Sequence, residues 1–128
     1  MSVTIKAPEE LNKVEIRLPA SKSISNRLLI LNALSYSPYP IKNLSDSDDT
    51  IAMLESLNSN SNHFDVGAAG TTMRFLTAYL SKIMGEWTIT GSERMKQRPI
   101  HVLVDALNKL GGRVEYIEKE GFPPLRIF

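Results

Sequence analysis

The sequence predicts an α/β fold (α+β in some schemes) in which helices cover a sheet. Segments with the alternating pattern of half-buried strands lie between segments with the three-to-four-residue apolar spacing of helices. The chain has 128 residues, 42% hydrophobic and 23% charged, which suits a globular protein with one small core. Strands that alternate with helices in such a chain indicate a layered architecture.

The leading residues, 1–18, predict two short strands separated by a turn at residues 8–12, because apolar and polar residues alternate on both sides of that turn. The apolar residues of this pattern are Val3, Ile5, Val14, Ile16 and Leu18. These residues are therefore set apart from the helix-rich remainder, residues 19–128.

The next part of the chain predicts two helices joined by a short strand. The first helix runs from about residue 23 to residue 35, where the prolines of "SYSPYP" end it. A strand is expected at 41–44. The second helix begins at "SDSDD", where Ser47 can cap it. Its predicted buried residues are Ile51, Leu54 and Leu57.

The second half predicts two more helices and three strands. "NSNSNHF" is typical of a polar linker, and "GAAGTT" then opens a third helix that ends at Gly85. Pro99 suits the first position of a fourth helix, which two glycines end. Strands are expected at 87–89, at 114–116 and at the terminal "PLRIF", a pattern that suggests a longer protein. The predicted buried helix residues are Met73, Leu76, Leu80, Ile83, Ile100, Leu103, Val104, Leu107 and Leu110.

Composition and motifs exclude several classes of function. A net charge of +1 does not indicate a nucleic-acid-binding protein, and zero cysteines exclude disulfides and thiol nucleophiles. No signal peptide, membrane-spanning run, Walker motif, dinucleotide fingerprint or HExxH motif is present, so we expect a cytoplasmic protein that does not bind membranes. His63 and His101 have no second ligand at metal spacing, so no metal site is predicted.

Basic residues occupy three predicted helix starts, where partial positive charge and free N–H groups favour anions. Lys22 and Arg27 flank the first start and Arg74 follows the third. The cations before the fourth helix are Arg94, Lys96 and Arg98. A bound anion would turn each unfavourable placement into a favourable one. The pattern therefore predicts a site for a substrate with several negative charges, such as phosphate and carboxylate groups.

Less specific interpretations of the same residues stay open. Each cation could simply be solvated, although three coincident cases disfavour that explanation. Asp48 and Asp49 either stabilise a helix start or form an ion pair that orients a nearby cation. Ser21, Ser23 and Ser25 lack a histidine or acid at a readable spacing, so none is predicted to be a nucleophile.

Four ordered motifs, "LPASKSISNR", "NLSDSDD", "GAAGTTMR" and "GSERMKQRPIHVLVDAL", resemble the N-terminal part of the 5-enolpyruvylshikimate-3-phosphate synthase family. The resemblance implies transfer of an enolpyruvyl group from phosphoenolpyruvate to shikimate 3-phosphate, without a metal or organic cofactor, by a monomeric enzyme. It implies βαβαββ repeat units, incomplete in this chain. Residues 1–18 would be leading strands, the first pairing with the enzyme's second domain, and 19–128 a partial N-terminal substrate-binding domain.

The resemblance also implies roles for individual residues. Lys22 would contact both substrates, and Ser23 and Arg27 would bind shikimate 3-phosphate. The Gly70 backbone and the Arg94 guanidinium would hold phosphoenolpyruvate. Supporting positions would be Asp49, Thr71 and Arg74. No catalytic acid or base matches a position in this chain, so we expect the chain alone to be inactive.

The chain departs from the family pattern in three places. Many members have Asn where this chain has Ala68 and Pro where it has Phe75, and the linker "NSNSNHF" is shorter than usual. Two alternatives remain. A UDP-N-acetylglucosamine enolpyruvyl transferase-like enzyme is disfavoured because it typically has Lys-Asn in the first loop, where this chain has Lys-Ser. A non-catalytic phosphate-binding module is the other.

Overall fold

The computed structural model describes residues 1–10 and 13–128, in which five helices and four strands form. The helices are α1 (Lys22–Leu34), α2 (Asp48–Asn58), α3 (Gly70–Leu80), α4 (Glu93–Lys96) and α5 (His101–Lys109). The strands are β1 (His63–Asp65), β2 (Trp87–Thr90), β3 (Val114–Tyr116) and β4 (Leu125–Ile127). The helices predicted to begin near residues 23, 47, 70 and 99 are confirmed, as are the strands β2, β3 and β4.

The four strands form one mixed sheet in the order β1-β2-β4-β3. β1 and β2 run parallel, with Phe64 opposite Ile89, whereas β4 is antiparallel to both of its neighbours. The parallel pair needs a crossover connection, and α3 supplies it. Helices packed on a mixed sheet confirm the predicted fold class.

The core lies between the sheet and α3 with α5. Ile89, Leu125 and Ile127 are completely buried, and Met73, Leu76, Leu80 and Val104 of the helices are at most 2% exposed. These residues form one apolar cluster with Phe64, Val66, Ala69, Met95, Ile100 and Val114. Burying one such side chain contributes about 1.5–3 kcal/mol to the stability of the folded state. The cluster therefore holds α3 and α5 firmly on the sheet from which the loops emerge.

Buried polar contacts attach α1 and α2 to each other. The Ser21 hydroxyl caps α1 by accepting from the N–H of Ile24 at 3.3 Å. The Thr50 hydroxyl donates to Asn26 Oδ1 at 2.7 Å, and both residues are at most 1% exposed. Because buried polar groups need partners, this pair sets the rotation of α2 against α1.

The inward face predicted for α2 is wrong for that reason. Thr50 and Met53 point inward, whereas Ile51 and Leu54 are 45% and 39% exposed. Leu57 is partly buried against the core. A sequence pattern based on hydrophobicity cannot show that a threonine of α2, rather than an isoleucine, will face inward. The inward residue is decided by a hydrogen bond to another helix.

Other sequence predictions also need correction. Residues 41–44 are irregular, with Asn43 in the left-handed region at φ 56°, and they form no strand. The second part of "NSNSNHF" is not linker, because His63 and Phe64 begin β1. α3 ends at Leu80 rather than Gly85. Leu110 is 85% exposed because α5 ends one residue earlier.

The leading residues form no strand within the described ranges 1–10 and 13–20. Ile5 and Leu18 are 90% and 83% exposed. A strand needs a partner for its backbone groups, and no described strand pairs with these residues. Part of the predicted turn at 8–12 lies outside the described residues. The assignment of 1–18 to leading strands that pair with another domain stays a prediction.

Candidate functional site

The candidate site lies where the chain leaves the carboxyl ends of the parallel strands β1 and β2, a common position for ligands in α/β sheets. Two backbone hydrogen bonds join the loops there, from Val66 N–H to the Thr90 carbonyl at 3.0 Å and from Ser92 N–H to the Gly67 carbonyl at 3.0 Å. A Cβ at Gly91 would lie 2.5 Å from the Gly67 carbonyl oxygen. The loops at 66–70 and 91–98 are therefore closely packed.

Asp49 connects the starts of α1, α2 and α3. Its carboxylate accepts from Lys22 Nζ at 3.4 Å and from the N–H of Thr71 at 3.1 Å. Its backbone carbonyl accepts from the Thr72 hydroxyl at 2.6 Å. The structure thus contains the ion pair that the sequence left open for this acid, and Asp49 holds Lys22 beside the start of α3.

The start of α3 contains backbone donors that have no acceptor in the described part of the chain. Ala69 at the N-cap position offers no side-chain acceptor, and within the described residues nothing accepts a hydrogen bond from the N–H of Gly70 or Thr72. Ala68, just before, also has no polar side chain. Free N–H groups at the start of an eleven-residue helix favour an anion.

Arg94 lies in the short helix α4, which follows β2. It is exposed and lines a cavity of about 360 Å³ together with Ala68, Ser92, Met95 and Arg98. Among the described residues, Arg94 and Arg98 have no acidic partner within ion-pair distance. The cavity therefore presents two guanidinium groups whose charge is not neutralised by the protein.

Lys96, in the same segment, does not line this cavity. Its Nζ lies 3.3 Å from Glu118 and 3.5 Å from Glu93. The hydrogen bond and charge of Glu118, with the charge of Glu93, raise the pKa of Lys96 above its ordinary value. Of the three cations predicted before the fourth helix, the structure brings two to the cavity and pairs the third with acids.

Ser23 and Arg27 lie on the exposed first turns of α1. Arg27 Nη1 donates to the Ser23 carbonyl at 3.0 Å, and its Cζ lies 5.5 Å from the ring centre of Phe75. Phe75 thus supports the guanidinium by a cation–π contact. A neighbouring groove between α1 and α3 is lined by Arg27, Lys82 and mainly apolar side chains such as Leu31.

Arg74 has a structural position. Its guanidinium donates to the Gly70 carbonyl at 3.3 Å and to the Pro99 carbonyl at 3.1 Å. It thereby ties the start of α3 to the segment between α4 and α5. The supporting positions Asp49, Thr71 and Arg74 therefore all contact the start of α3.

Sequence reasoning missed two elements, the strand β1 and the short helix α4. Glu93–Lys96 forms the short helix α4, capped by Ser92, whose hydroxyl accepts from Met95 N–H at 3.3 Å. This turn places Arg94 and Arg98 on one cavity. The capping pattern of a serine before "ERMK" was the available signal. Within the described residues no group of three His, Asp or Glu side chains could hold a metal, and no helix is long and apolar enough to span a membrane.

Comparison with known proteins matches this chain to one family. The sequence profile described as EPSP synthase (3-phosphoshikimate 1-carboxyvinyltransferase) matches residues 5–60 and 56–128. A 3-phosphoshikimate 1-carboxyvinyltransferase of Bacteroides fragilis (strain YCH46) is 56% identical over 127 residues. That alignment covers 99% of this chain and 31% of the relative. A 3-phosphoshikimate 1-carboxyvinyltransferase of Vibrio vulnificus (strain YJ016) is 39% identical over 152 residues, an alignment that covers 98% of this chain and 35% of the relative.

Solved structures show a similar fold. Two EPSP synthase structures from Acinetobacter baumannii superpose with TM-scores of 0.71 and 0.72 over 88% of this chain and 31% of theirs. Because their sequence identities to this chain are only 19% and 20%, these structures are evidence for the fold alone.

The alignments also locate one difference in length. The match to the profile is in two parts that meet at residues 56–60, beside "NSNSNHF". The Vibrio alignment is longer than this chain, so that relative has extra residues inside the aligned region, whereas the Bacteroides alignment shows almost no such excess. These findings support the predicted short linker. The chain spans about a third of the length of these relatives, and it belongs to the EPSP synthase family.

Proposed function

We propose that this chain is the N-terminal, substrate-binding part of an enzyme that transfers the enolpyruvyl group of phosphoenolpyruvate to the 5-hydroxyl of shikimate 3-phosphate, releasing phosphate. Family membership supports this assignment. The observation that carries it is the contact of Asp49 with both Lys22 Nζ and the Thr71 N–H. This contact places Lys22, from the motif "LPASKSISNR", beside the start of α3 in the motif "GAAGTTMR". Two anionic substrates bound side by side could therefore contact both the lysine and the helix start.

The proposed roles are those that the family resemblance implies, and the geometry is compatible with them. Lys22 contacts both substrates, since it sits between the two helix starts. Ser23 and Arg27, on the first turns of α1, bind shikimate 3-phosphate. The N–H of Gly70 and the guanidinium of Arg94 hold phosphoenolpyruvate, because free backbone donors and a planar fork both suit carboxylate or phosphate oxygens.

Bringing two anions together is the main electrostatic cost of this reaction. A like-charge pair at 4 Å costs about 4 kcal/mol at an effective dielectric constant of 20. Lys22, Arg27 and Arg94 would offset that repulsion and fix the orientation of the reacting atoms. The protons of the addition and elimination steps are assigned to groups outside this chain.

The proposal includes the setting of the enzyme. We propose that the full-length enzyme is in the cytoplasm, since both substrates are phosphorylated metabolites. We propose that it is a monomer, as the family resemblance implies. A metal or organic cofactor has no part in this scheme. The chain alone would bind shikimate 3-phosphate weakly, because half of a cleft leaves the ligand in water, where each charge contact is weak.

The test is a phosphate-release assay of the full-length protein with both substrates. Lys22→Ala should lower kcat/KM by at least about a hundredfold, because a charge-assisted contact to each substrate is lost. Lys96→Ala removes the same charge from a lysine already paired with Glu118 and should change kcat/KM by less than about threefold. Turnover with UDP-N-acetylglucosamine in place of shikimate 3-phosphate, or phosphate binding without turnover, would contradict the proposal.

A further inference from the structure

The guanidinium group of Arg98 lies directly on the α-carbon of Gly70. A Cβ added at Gly70 would be 2.9 Å from Cζ and 3.0 Å from Nη2 of Arg98, with Nη1 nearer still. Real Cβ atoms essentially never come closer than 3.0 Å to such neighbours. Arg98 therefore occupies the space that any side chain at position 70 would need.

This position is electrostatically unfavourable unless an anion is bound. The start of α3 carries partial positive charge, and Arg98 adds a full charge beside it. In the ranges 1–10 and 13–128 no acid lies within ion-pair distance of Arg98, and its guanidinium makes no hydrogen bond. Lys96, two residues earlier, shows that the same loop can neutralise a cation, since Glu93 and Glu118 pair with it.

Backbone hydrogen bonds fix the main chain of the loop that carries Arg98. The Arg98 N–H donates to the Met95 carbonyl at 3.0 Å, which closes the turn after α4. The Ser92 N–H donates to the Gly67 carbonyl at 3.0 Å, which fixes the loop against the segment that leads into α3. Arg94 and Arg98 line the same cavity of about 360 Å³. Two guanidinium groups thus line one cavity, and one of them, that of Arg98, also lies against Gly70 at the start of α3.

We propose that Arg98 is a second guanidinium ligand for the anionic group bound at Gly70 and Arg94. This inference rests on the proposed function, in which that group belongs to phosphoenolpyruvate. Gly70 then has two roles. Its backbone lets an anion approach closely, and the absence of a side chain leaves space for the guanidinium of Arg98.

The experiment measures phosphoenolpyruvate binding to the full-length protein in the presence of shikimate 3-phosphate. Arg98→Ala should raise the phosphoenolpyruvate Kd by about ten- to a hundredfold, the usual effect of losing a charge-assisted contact. Shikimate 3-phosphate binding should stay within about twofold, as expected for a contact made to the other substrate. Arg98→Lys should weaken phosphoenolpyruvate binding by an intermediate factor, because lysine keeps the charge but lacks the fork.

Lys96→Ala is the matched control, since it removes one positive charge from the same loop at a site paired with Glu118. If Arg98→Ala weakens phosphoenolpyruvate no more than Lys96→Ala does, while Arg94→Ala weakens it strongly, the role of Arg98 is refuted and the proposed function stands. Equal losses for both substrates in Arg98→Ala would also refute it, because they would indicate a structural role.

Inorganic phosphate separates the two proposals. If the wild-type protein does not bind phosphoenolpyruvate, the proposed function fails, and phosphate titrations then decide the role of Arg98 on their own. Weaker phosphate binding in Arg98→Ala than in Lys96→Ala would support an anion-binding Arg98. Equal phosphate affinities in these two variants would overturn it.

Discussion

Replacing Asp49 with asparagine should destabilise the chain through two separate contacts. The first is the ion pair with Lys22, whose side chain is 47% exposed, against 18% for Asp49. A partly exposed pair of this kind contributes about 0.2–1 kcal/mol. The second is the carboxylate at the start of α3, where it accepts from the Thr71 N–H. A negative charge at a helix start contributes about 0.3–1 kcal/mol.

Asp48 provides a matched control. Both acids lie in the first turn of α2, so both substitutions remove the same favourable interaction with that helix start. Asp48 is exposed and has no ion pair among the described residues. The difference between the two variants therefore isolates the contacts to Lys22 and Thr71, which sum to about 0.5–2 kcal/mol in the free energy of unfolding.

Urea unfolding of the 128-residue chain, at low salt and at about 1 M NaCl, measures this difference. Asp49→Asn should unfold at lower urea than Asp48→Asn at low salt. The gap should narrow at high salt, where the screening length is about 3 Å, because the ion pair is partly exposed. Equal midpoints for the two variants at low salt would refute the idea that Asp49 joins the three helix starts.

Three further predictions concern the ligands. Phosphate or shikimate 3-phosphate should raise the melting temperature of the chain, and Lys22→Ala or Arg27→Ala should reduce that rise while leaving the ligand-free melting temperature within a few degrees. Loss of ligand-free stability in both variants would indicate a structural role. In the full-length protein, Gly70→Ala should weaken phosphoenolpyruvate more than shikimate 3-phosphate in titrations, because the methyl group would displace Arg98. Equal weakening of both substrates would indicate that Gly70 has a structural role. In a phosphate-release assay with both substrates present, the 128-residue chain alone should show no turnover. Turnover above background that Arg94→Ala abolishes would contradict this prediction.

The sequence was informative where a local rule decides the structure. The serine and acids of "SDSDD" placed the start of α2 at residue 48, although the Ser47 side chain makes no capping hydrogen bond there. The basic residues at helix starts stood out because they violate the preference for anions there. Those violations identified Lys22 and Arg94, and the structure brings each to an open helix start or cavity.

The sequence was uninformative where the outcome depends on distant residues. Nothing near Lys96 in the sequence indicates that Glu118 will pair with it and remove it from the cavity. Likewise, Thr50 faces inward only because Asn26 of another helix accepts its hydroxyl. The alternation at residues 1–18 predicts a strand, but a strand forms only beside a partner strand.

The most direct test of the account is a crystal structure of the full-length protein with shikimate 3-phosphate and phosphoenolpyruvate bound. We predict that anionic oxygens lie within about 3.2 Å of Lys22 Nζ, the Gly70 N–H and the Arg94 guanidinium, the range of hydrogen bonds. We also expect the carboxylate of Asp49 still to contact Lys22. Substrates held by other residues, with these three groups left in solvent, would contradict the claim that the cations at the helix starts are there to bind anionic substrates.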